Sequence, residues 1–364
     1  MNLLFISRSF PPVVGGIEKQ NAEIARALGE ICNVRLIVNR KGKYLLPLFL
    51  PWATLKALLL LPRQDAVLLG DGVLGITGFV LKLFTRKPVV CITHGLDLTY
   101  ASRLYQWLWV RLFLPRMDRL IAVGNATLSE GVARGIPAAR FIFIPNGVAA
   151  PAPPPRDYTR ADLAAMIGRP PRGTVLLTLG RLVRRKGVAW FVENVVPHLD
   201  SDITYIIAGA GPEHARISAA IADRGVADRV IMLGRVSDAE KELLLHCADI
   251  FVQPNIPVSG DIEGFGLVVL EAAAHGLVVI ASALEGLCDA ITDGENGYLV
   301  SPGDSVAYRD RIAALLTDRN GMRSFGARAS RHTIDSNAWS LIAQRYLDVI
   351  GHTDTRQNTG ENAA

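Results

Sequence analysis

Two acids separated by seven residues, Glu263 and Glu271, bracket a Gly264-Phe265-Gly266 element that runs into an apolar, helix-like stretch. Glycines let backbone N–H groups approach a ligand closely, and a helix beginning there offers unpaired donors and partial positive charge to a phosphate. Carboxylates on either side of such a cradle are suited to accept hydrogen bonds from sugar hydroxyls. Two other readings compete for the acids alone: a solvated helix face, and a general acid/base pair across a glycosidic bond. The second needs carboxylates facing one bond across a gap, whereas acids eight positions apart along a loop and a helix line one edge of a ligand.

Gly180-Arg181-Leu182-Val183-Arg184-Arg185-Lys186-Gly187 follows an apolar strand and precedes a helix. Arg181 supplies a planar fork for phosphate oxygens and Lys186 a compact point charge, so together they can meet a diphosphate. His94-Gly95-Leu96-Asp97 follows another apolar run, which puts an imidazole at the carboxyl end of a strand. A lone histidine is more often structural than catalytic, and the other six histidines show no ligand spacing for a metal. In Phe10 to Glu18, Gly15 and Gly16 permit a tight turn on which a phosphate can rest, although the full G-x-G-x-x-G dinucleotide fingerprint is absent. Gly209-Ala210-Gly211-Pro212 is equally incomplete and reads as well as a plain strand-end turn.

These groups have to be held by a framework. The chain has 364 residues, half of them apolar, enough for about two cores. Short apolar runs at 1–7, 34–38, 66–69, 89–93, 120–123 and 141–144 alternate with helical stretches, beginning with a helix at 17–28. The rhythm restarts at 175–179, 205–208, 230–233, 250–252 and 278–281. Both halves are expected to be open parallel α/β sheets, whose ligand crevices lie at the carboxyl ends of the strands. The proline-rich segment 151–155 can continue neither a helix nor a central strand, so a linker is expected over 151–160 between domains at 1–150 and 161–335. The polar tail 352–364 is expected to be disordered.

Cys32, Cys91, Cys247 and Cys288 sit in apolar surroundings without paired spacing and read as reduced core residues. The net charge of +5 is unevenly divided: residues 1–150 hold 18 Lys and Arg against 8 Asp and Glu, net +10, and the remainder 21 against 26, net −5. Those basic residues interleave with Leu and Trp rather than line a polar groove, which excludes a nucleic-acid partner and suits an anionic membrane surface. The segments 41–52 and 105–116 carry that pattern, and for 105–115 a buried helix is an equal reading. No bilayer-crossing span is expected, since Pro47, Pro51 and Lys56 break the best candidate, 45–61. The N-terminal run lacks the basic region and cleavage site of a signal peptide, so a cytoplasmic location, peripheral on the inner membrane, is expected.

The Glu-seven-residues-Glu arrangement, with the motifs above, resembles the family 4 glycosyltransferases over nearly the whole chain. That resemblance implies the GT-B fold, two Rossmann-like doubly wound domains facing across a cleft, with a last helix at 336–351 returning to the first domain. It implies transfer of a sugar from a nucleotide donor with retention of configuration, with no cofactor and no metal, Arg181 and Lys186 taking the metal's place. It further implies that Glu271 binds ribose hydroxyls, that Glu263 faces the transferred sugar, and that the amides of Phe265, Gly266 and Leu267 approach sugar and phosphate. Gly15 and Gly16 would close on the diphosphate, Gly209 and Gly211 would flank the nucleotide, and His94 would lie near the reacting carbon. Glu18 and Asp97 are acceptor-side candidates. The sequence departs from the family pattern at Ala149, Gly124 and Gly276-Leu277-Val278, so no acceptor contact is carried over to Gly124 or Ala149. The expected acceptor is a lipid-linked saccharide or a polysaccharide precursor. A GT-B-shaped partner subunit that binds nucleotide sugar or membrane without turnover is the alternative from another class, and a nicotinamide-dependent dehydrogenase a third.

Overall fold

The structure, a computed structural model, describes residues 1–13, 15–153 and 156–359. It divides into two compact units, residues 1–147 with 260–265 and 337–364, and residues 148–259 with 266–336.

The first unit is a six-stranded parallel sheet of β1 (Asn2–Ser7), β2 (Asn33–Val38), β3 (Ala66–Leu69), β4 (Val89–Thr93), β5 (Arg119–Ala122) and β6 (Phe141–Phe143) in the order β2-β1-β3-β4-β5-β6. The second is a six-stranded parallel sheet of β7 (Thr174–Leu179), β8 (Ile203–Ala208), β9 (Val230–Gly234), β10 (Ile250–Gln253), β11 (Val278–Ser282) and β12 (Tyr298–Val300) in the order β12-β11-β10-β7-β8-β9. Leu, Ile and Val fill the strand interiors without polar alternation because helices cover both sheet faces; β3, β4, β7, β8, β10 and β11 are buried along their whole length. The expected strands are present to within two residues at either end. β12, only three residues long, was not among them.

The winding direction reverses between β1 and β3 in the first sheet and between β7 and β10 in the second. At such a point the neighbouring connections leave on opposite faces, and a crevice opens beyond the carboxyl ends of the strands. Residues 8–13 and 70–72 end up beside one reversal, residues 180–187 and 254–259 beside the other.

Four expectations need correction. Residues 45–61 do not break at their prolines: Leu46–Leu60 is one helix. Pro47 lies in the first turn, where no N–H is required, and Pro51 removes only one bond soon after it. Leu46–Arg63 is thereby long and apolar enough to cross a membrane by length and composition, but its Phe49, Ala53 and Ala57 face is buried in the core of the first unit. Residues 260–265 pack with the first unit rather than the second, with Thr99 Oγ1 donating to the Gly260 carbonyl at 3.4 Å. The closing helix runs over Trp339–Thr359, through most of the expected tail, and residues 360–364 lie outside the described ones. Finally, only Cys91 and Cys247 are buried; Cys32 is half-buried and Cys288 exposed on a one-turn helix.

The linker expectation falls partly on residues 154–155, outside the described set; beyond it, Thr159 and Asp162 cap the helix Arg160–Ile167 reciprocally. The closing helix packs on the helix Gly16–Ile31 with Tyr346 buried, and its first residue, Trp339, lies over Gly147. The segment 105–115 is helical and two-sided, with Val110, Phe113 and Leu114 buried and Leu104 and Trp107 exposed at its start.

In the second unit the loops after β7 and β8 meet backbone to backbone. Gly180 donates to the Ala208 carbonyl at 3.0 Å, and Gly209, at φ 150°, donates to the Gly234 carbonyl at 2.7 Å. A β-carbon on Gly209 would lie 1.8 Å from the Gly180 carbonyl oxygen. Gly209→Ala is therefore expected to destabilise the protein by at least about 2 kcal/mol in urea unfolding; a change within about 0.5 kcal/mol would refute this account of the loop.

Candidate functional site

In the first unit the connections leaving β1, β3 and β4 converge. Arg8, directly after β1, pairs through Nε with Asp71 Oδ1 at 2.8 Å, and the same oxygen accepts from the Val73 amide at 2.9 Å. Burial works against the Arg8 charge, but Asp71 outweighs it and raises the guanidinium above its ordinary range.

His94 ends β4. Its ring Nε2 lies 2.9 Å from the Gly70 carbonyl. A carbonyl only accepts, so Nε2 carries a hydrogen and Nδ1 is the position left to receive one. The backbone N–H of His94 donates to the Asp97 carboxylate at 3.0 Å, and the Gly72 N–H donates to it at 2.8 Å. Asp97 is thus turned inward: its carboxylate is a brace between the loops after β3 and β4, not a group presented to an acceptor. Burial pushes this carboxyl above the usual aspartate range, against the lowering effects of His94 and of the Gly72 amide. Tyr105 donates to the Asp97 carbonyl at 2.9 Å, and burial holds its phenol far above the ordinary tyrosine value.

Against this cluster lies the first half of the acidic motif. A β-carbon on Gly264 would stand 2.5 Å from the His94 carbonyl oxygen, so a glycine there lets the two backbones touch. Glu263 and Phe265 are buried. Glu18, half-buried, folds its carboxylate towards Gly15, the N-cap residue of the helix Gly16–Ile31, which as a glycine supplies no side-chain cap itself. Gly15 itself is extended, a conformation open to any residue; what the glycine provides is room for Glu18.

In the second unit Arg181 is exposed directly after β7, and Lys186 is buried in a short 3₁₀ turn, Arg184–Lys186. Gly211 lies against the Leu182 carbonyl, the same close apposition as at Gly209. Gly266, at φ 84°, turns the chain into the helix Leu267–Ala274 and, being glycine, supplies no side-chain cap itself. Glu271, one turn in, forms an ion pair with Lys241 of the helix Asp238–Cys247.

The structure gathers Gly15, Gly16, Glu18, His94, Asp97, Glu263 and Phe265 within one unit and Arg181, Lys186, Gly209, Gly211, Gly266, Leu267 and Glu271 within the other. Arg8, Asp71 and Lys241 were missed. The first two carry a signal that sequence alone contains, a charged residue immediately or two residues after a strand; Lys241 carries none, because its partner comes from a separate helix.

Both sheets have the strand orders of nucleotide-binding α/β folds. The same architecture occurs in Anabaena HepE solved in complex with UDP-glucose, at TM-score 0.77 and 20% identity, covering 97% of this chain and all of that one. The fold is therefore GT-B. The model for glycosyl transferases group 1 matches residues 160–332, and that for glycosyltransferase family 4 matches residues 14–150. The chain belongs to the group 1 glycosyltransferases. It is 32% identical over 211 residues to the phosphatidyl-myo-inositol mannosyltransferase of Mycobacterium leprae, covering 57% of this chain and about half, 52%, of that protein. It is 28% identical over 278 residues to the GDP-mannose-dependent alpha-(1-6)-phosphatidylinositol monomannoside mannosyltransferase of Mycobacterium tuberculosis, covering 75% of this chain and 72% of that one.

The raised Asp97 carboxyl predicts a pH signature. The folded state holds this proton more tightly than the unfolded chain, so the Asp97 contribution falls as pH rises from the ordinary aspartate value through the raised one, at up to about 1.4 kcal/mol per pH unit. Asp97→Asn should remove that slope and lower stability at acid pH by about 1–3 kcal/mol, since one amide loses its acceptor. Parallel stability-against-pH curves for the two proteins would overturn the assignment.

Proposed function

We propose that this protein is a retaining glycosyltransferase that moves a hexosyl group from a nucleoside diphosphate sugar to an acceptor hydroxyl, with no metal in the transfer step. The observation that supports it most is that the loops carrying Gly15 and Gly16 in one unit, and Arg181 and Lys186 in the other, follow the strands at which the winding reverses. Arg181 and Lys186 take the negative charge that grows on the departing diphosphate. The amides of Phe265, Gly266 and Leu267 hold phosphate and sugar oxygens, Glu271 accepts from the ribose hydroxyls, and Glu263 faces the transferred sugar. Gly209 and Gly211 border the nucleotide, and Gly15 and Gly16 bring a helix N-terminus to the phosphates.

The glycosidic C–O bond to the diphosphate breaks with both electrons going to phosphate oxygen, leaving oxocarbenium character on the sugar. The acceptor oxygen attacks from the same face, and its proton passes to the leaving phosphate. His94, its ring tethered at Nε2 by Gly70, positions the sugar at the reacting carbon. Glu18 serves the acceptor side by contact and Asp97 by holding His94 in place.

For the acceptor we propose a lipid-linked saccharide or a polysaccharide precursor, met at the cytoplasmic face of the inner membrane through the first unit. The names of the two mycobacterial relatives, both acting on phosphatidylinositol lipids, favour this reading. So does the exposed face of the helix Leu46–Leu60, where Leu48 is 71%, Leu55 61% and Leu59 74% exposed and Lys56 sits 4.7 Å over the Trp52 ring. Apolar side chains flanked by cations suit an anionic lipid surface.

With a nucleotide sugar that raises the melting temperature, Arg181→Ala and Lys186→Ala should each lower turnover by on the order of 10²–10³ while the fold is kept. Wild-type turnover in both variants would remove the diphosphate assignment, and binding without any turnover in the wild type would favour the non-catalytic partner subunit. Separately, Leu55→Glu with Leu59→Glu should abolish co-flotation with anionic liposomes. Flotation that is equal for neutral and anionic vesicles, or unaffected by these changes, would remove the membrane assignment.

A further inference from the structure

Three side chains that the transfer chemistry does not use converge in the second unit. Glu242 and His246 are one turn apart on the helix Asp238–Cys247, and His275 follows the helix Leu267–Ala274. One potential ligand atom from each lies within 4.8 Å of the other two. Glu242 and His246 do stand at the i, i+4 spacing of helical ligand pairs, but the third residue is nearly thirty positions away, and only the packing of the two helices supplies it.

The hydrogen bonds decide what the imidazoles present. His246 Nδ1 lies 2.8 Å from the Glu242 carbonyl, and His275 Nδ1 lies 2.8 Å from the Glu271 carbonyl. Carbonyls only accept, so each Nδ1 carries the hydrogen and each Nε2 becomes the donor atom for a ligand. Tethering the far ring nitrogen to a backbone carbonyl is the outer-shell arrangement that orients metal-bound histidines. His275 Nε2 in turn lies 2.9 Å from Glu242 Oε2. With a neutral ring that contact would set two lone pairs against each other, so either a proton or a cation has to lie there.

We propose that Glu242, His246 and His275 form a binding site for a divalent transition-metal ion of the zinc type. Two imidazoles and one carboxylate suit zinc, cobalt or nickel better than magnesium or calcium, which prefer all-oxygen sites. Tetrahedral ligation at about 2.0–2.2 Å separates ligand atoms by about 3.3 Å, so His246, the exposed member, closes by a small side-chain rotation that keeps its Nδ1 tether while half-buried His275 stays in place. The half-exposed Glu242 leaves the fourth position to water. The neighbouring cation, Lys241, is compensated by its ion pair with Glu271. A bound ion would tie the end of the Glu271 helix to the helix that carries Lys241, a second tie beside that ion pair. The site is separate from the metal-free transfer step proposed above and stands or falls without it.

The test uses the full chain without a histidine tag, stripped with a chelator, at neutral pH. Titration with Co²⁺ should give visible d–d absorption saturating at one equivalent, and Zn²⁺ should displace it and raise the melting temperature. His246→Ala, an exposed position that leaves the fold intact by circular dichroism, and Glu242→Gln should each weaken binding at least about tenfold. No saturable Co²⁺ or Zn²⁺ binding up to about 100 µM, or binding unchanged in both variants, would overturn the proposal.

Discussion

The buried carboxylate of Asp97 holds the functional end of the first sheet together. It accepts from the Gly72 and His94 amides, which follow β3 and β4, and so fixes the separation of two loops that no strand pairing reaches. Burying this acid without ionic compensation would cost far more than two neutral hydrogen bonds return. The site accordingly keeps its proton affinity high and places polar groups, the Tyr105 hydroxyl on its own backbone carbonyl among them, around it. The orientation of His94, the approach of Gly264 to its carbonyl and the position of the Arg8–Asp71 pair rest on the same loops.

The second unit reaches the same kind of order by another route. There the strand ends are joined by backbone contact, Gly209 on Gly180 and Gly211 on Leu182, which leaves no room for side chains at these two glycines. One sheet holds its loops with a buried carboxyl group, the other with glycines in a backbone conformation that other residues rarely adopt. In both, the groups lie beyond the carboxyl ends of parallel strands, where the reversal of winding opens a crevice.

Long apolar runs bounded by glycine or proline were legible as strands, and the two-sheet architecture followed from their alternation, since burial on both faces demands such runs. β12 was not legible because three residues carry too little periodicity. The helix Leu46–Leu60 was misread because two prolines were counted as breaks, although a proline in the first turn costs a helix nothing.

What the sequence by itself determined is the inventory of groups that can bind phosphate and sugar, their order along two α/β sheets, and their attachment to strand ends; local periodicity and residue chemistry are sufficient for that. Only the tertiary structure decided which of them share a unit, that residues 260–265 pack against His94, that Asp97 points inward, and that Glu242, His246 and His275 converge. These are contacts between segments remote in the chain, set by how helices and loops pack over the sheets, and no spacing within a single segment encodes them.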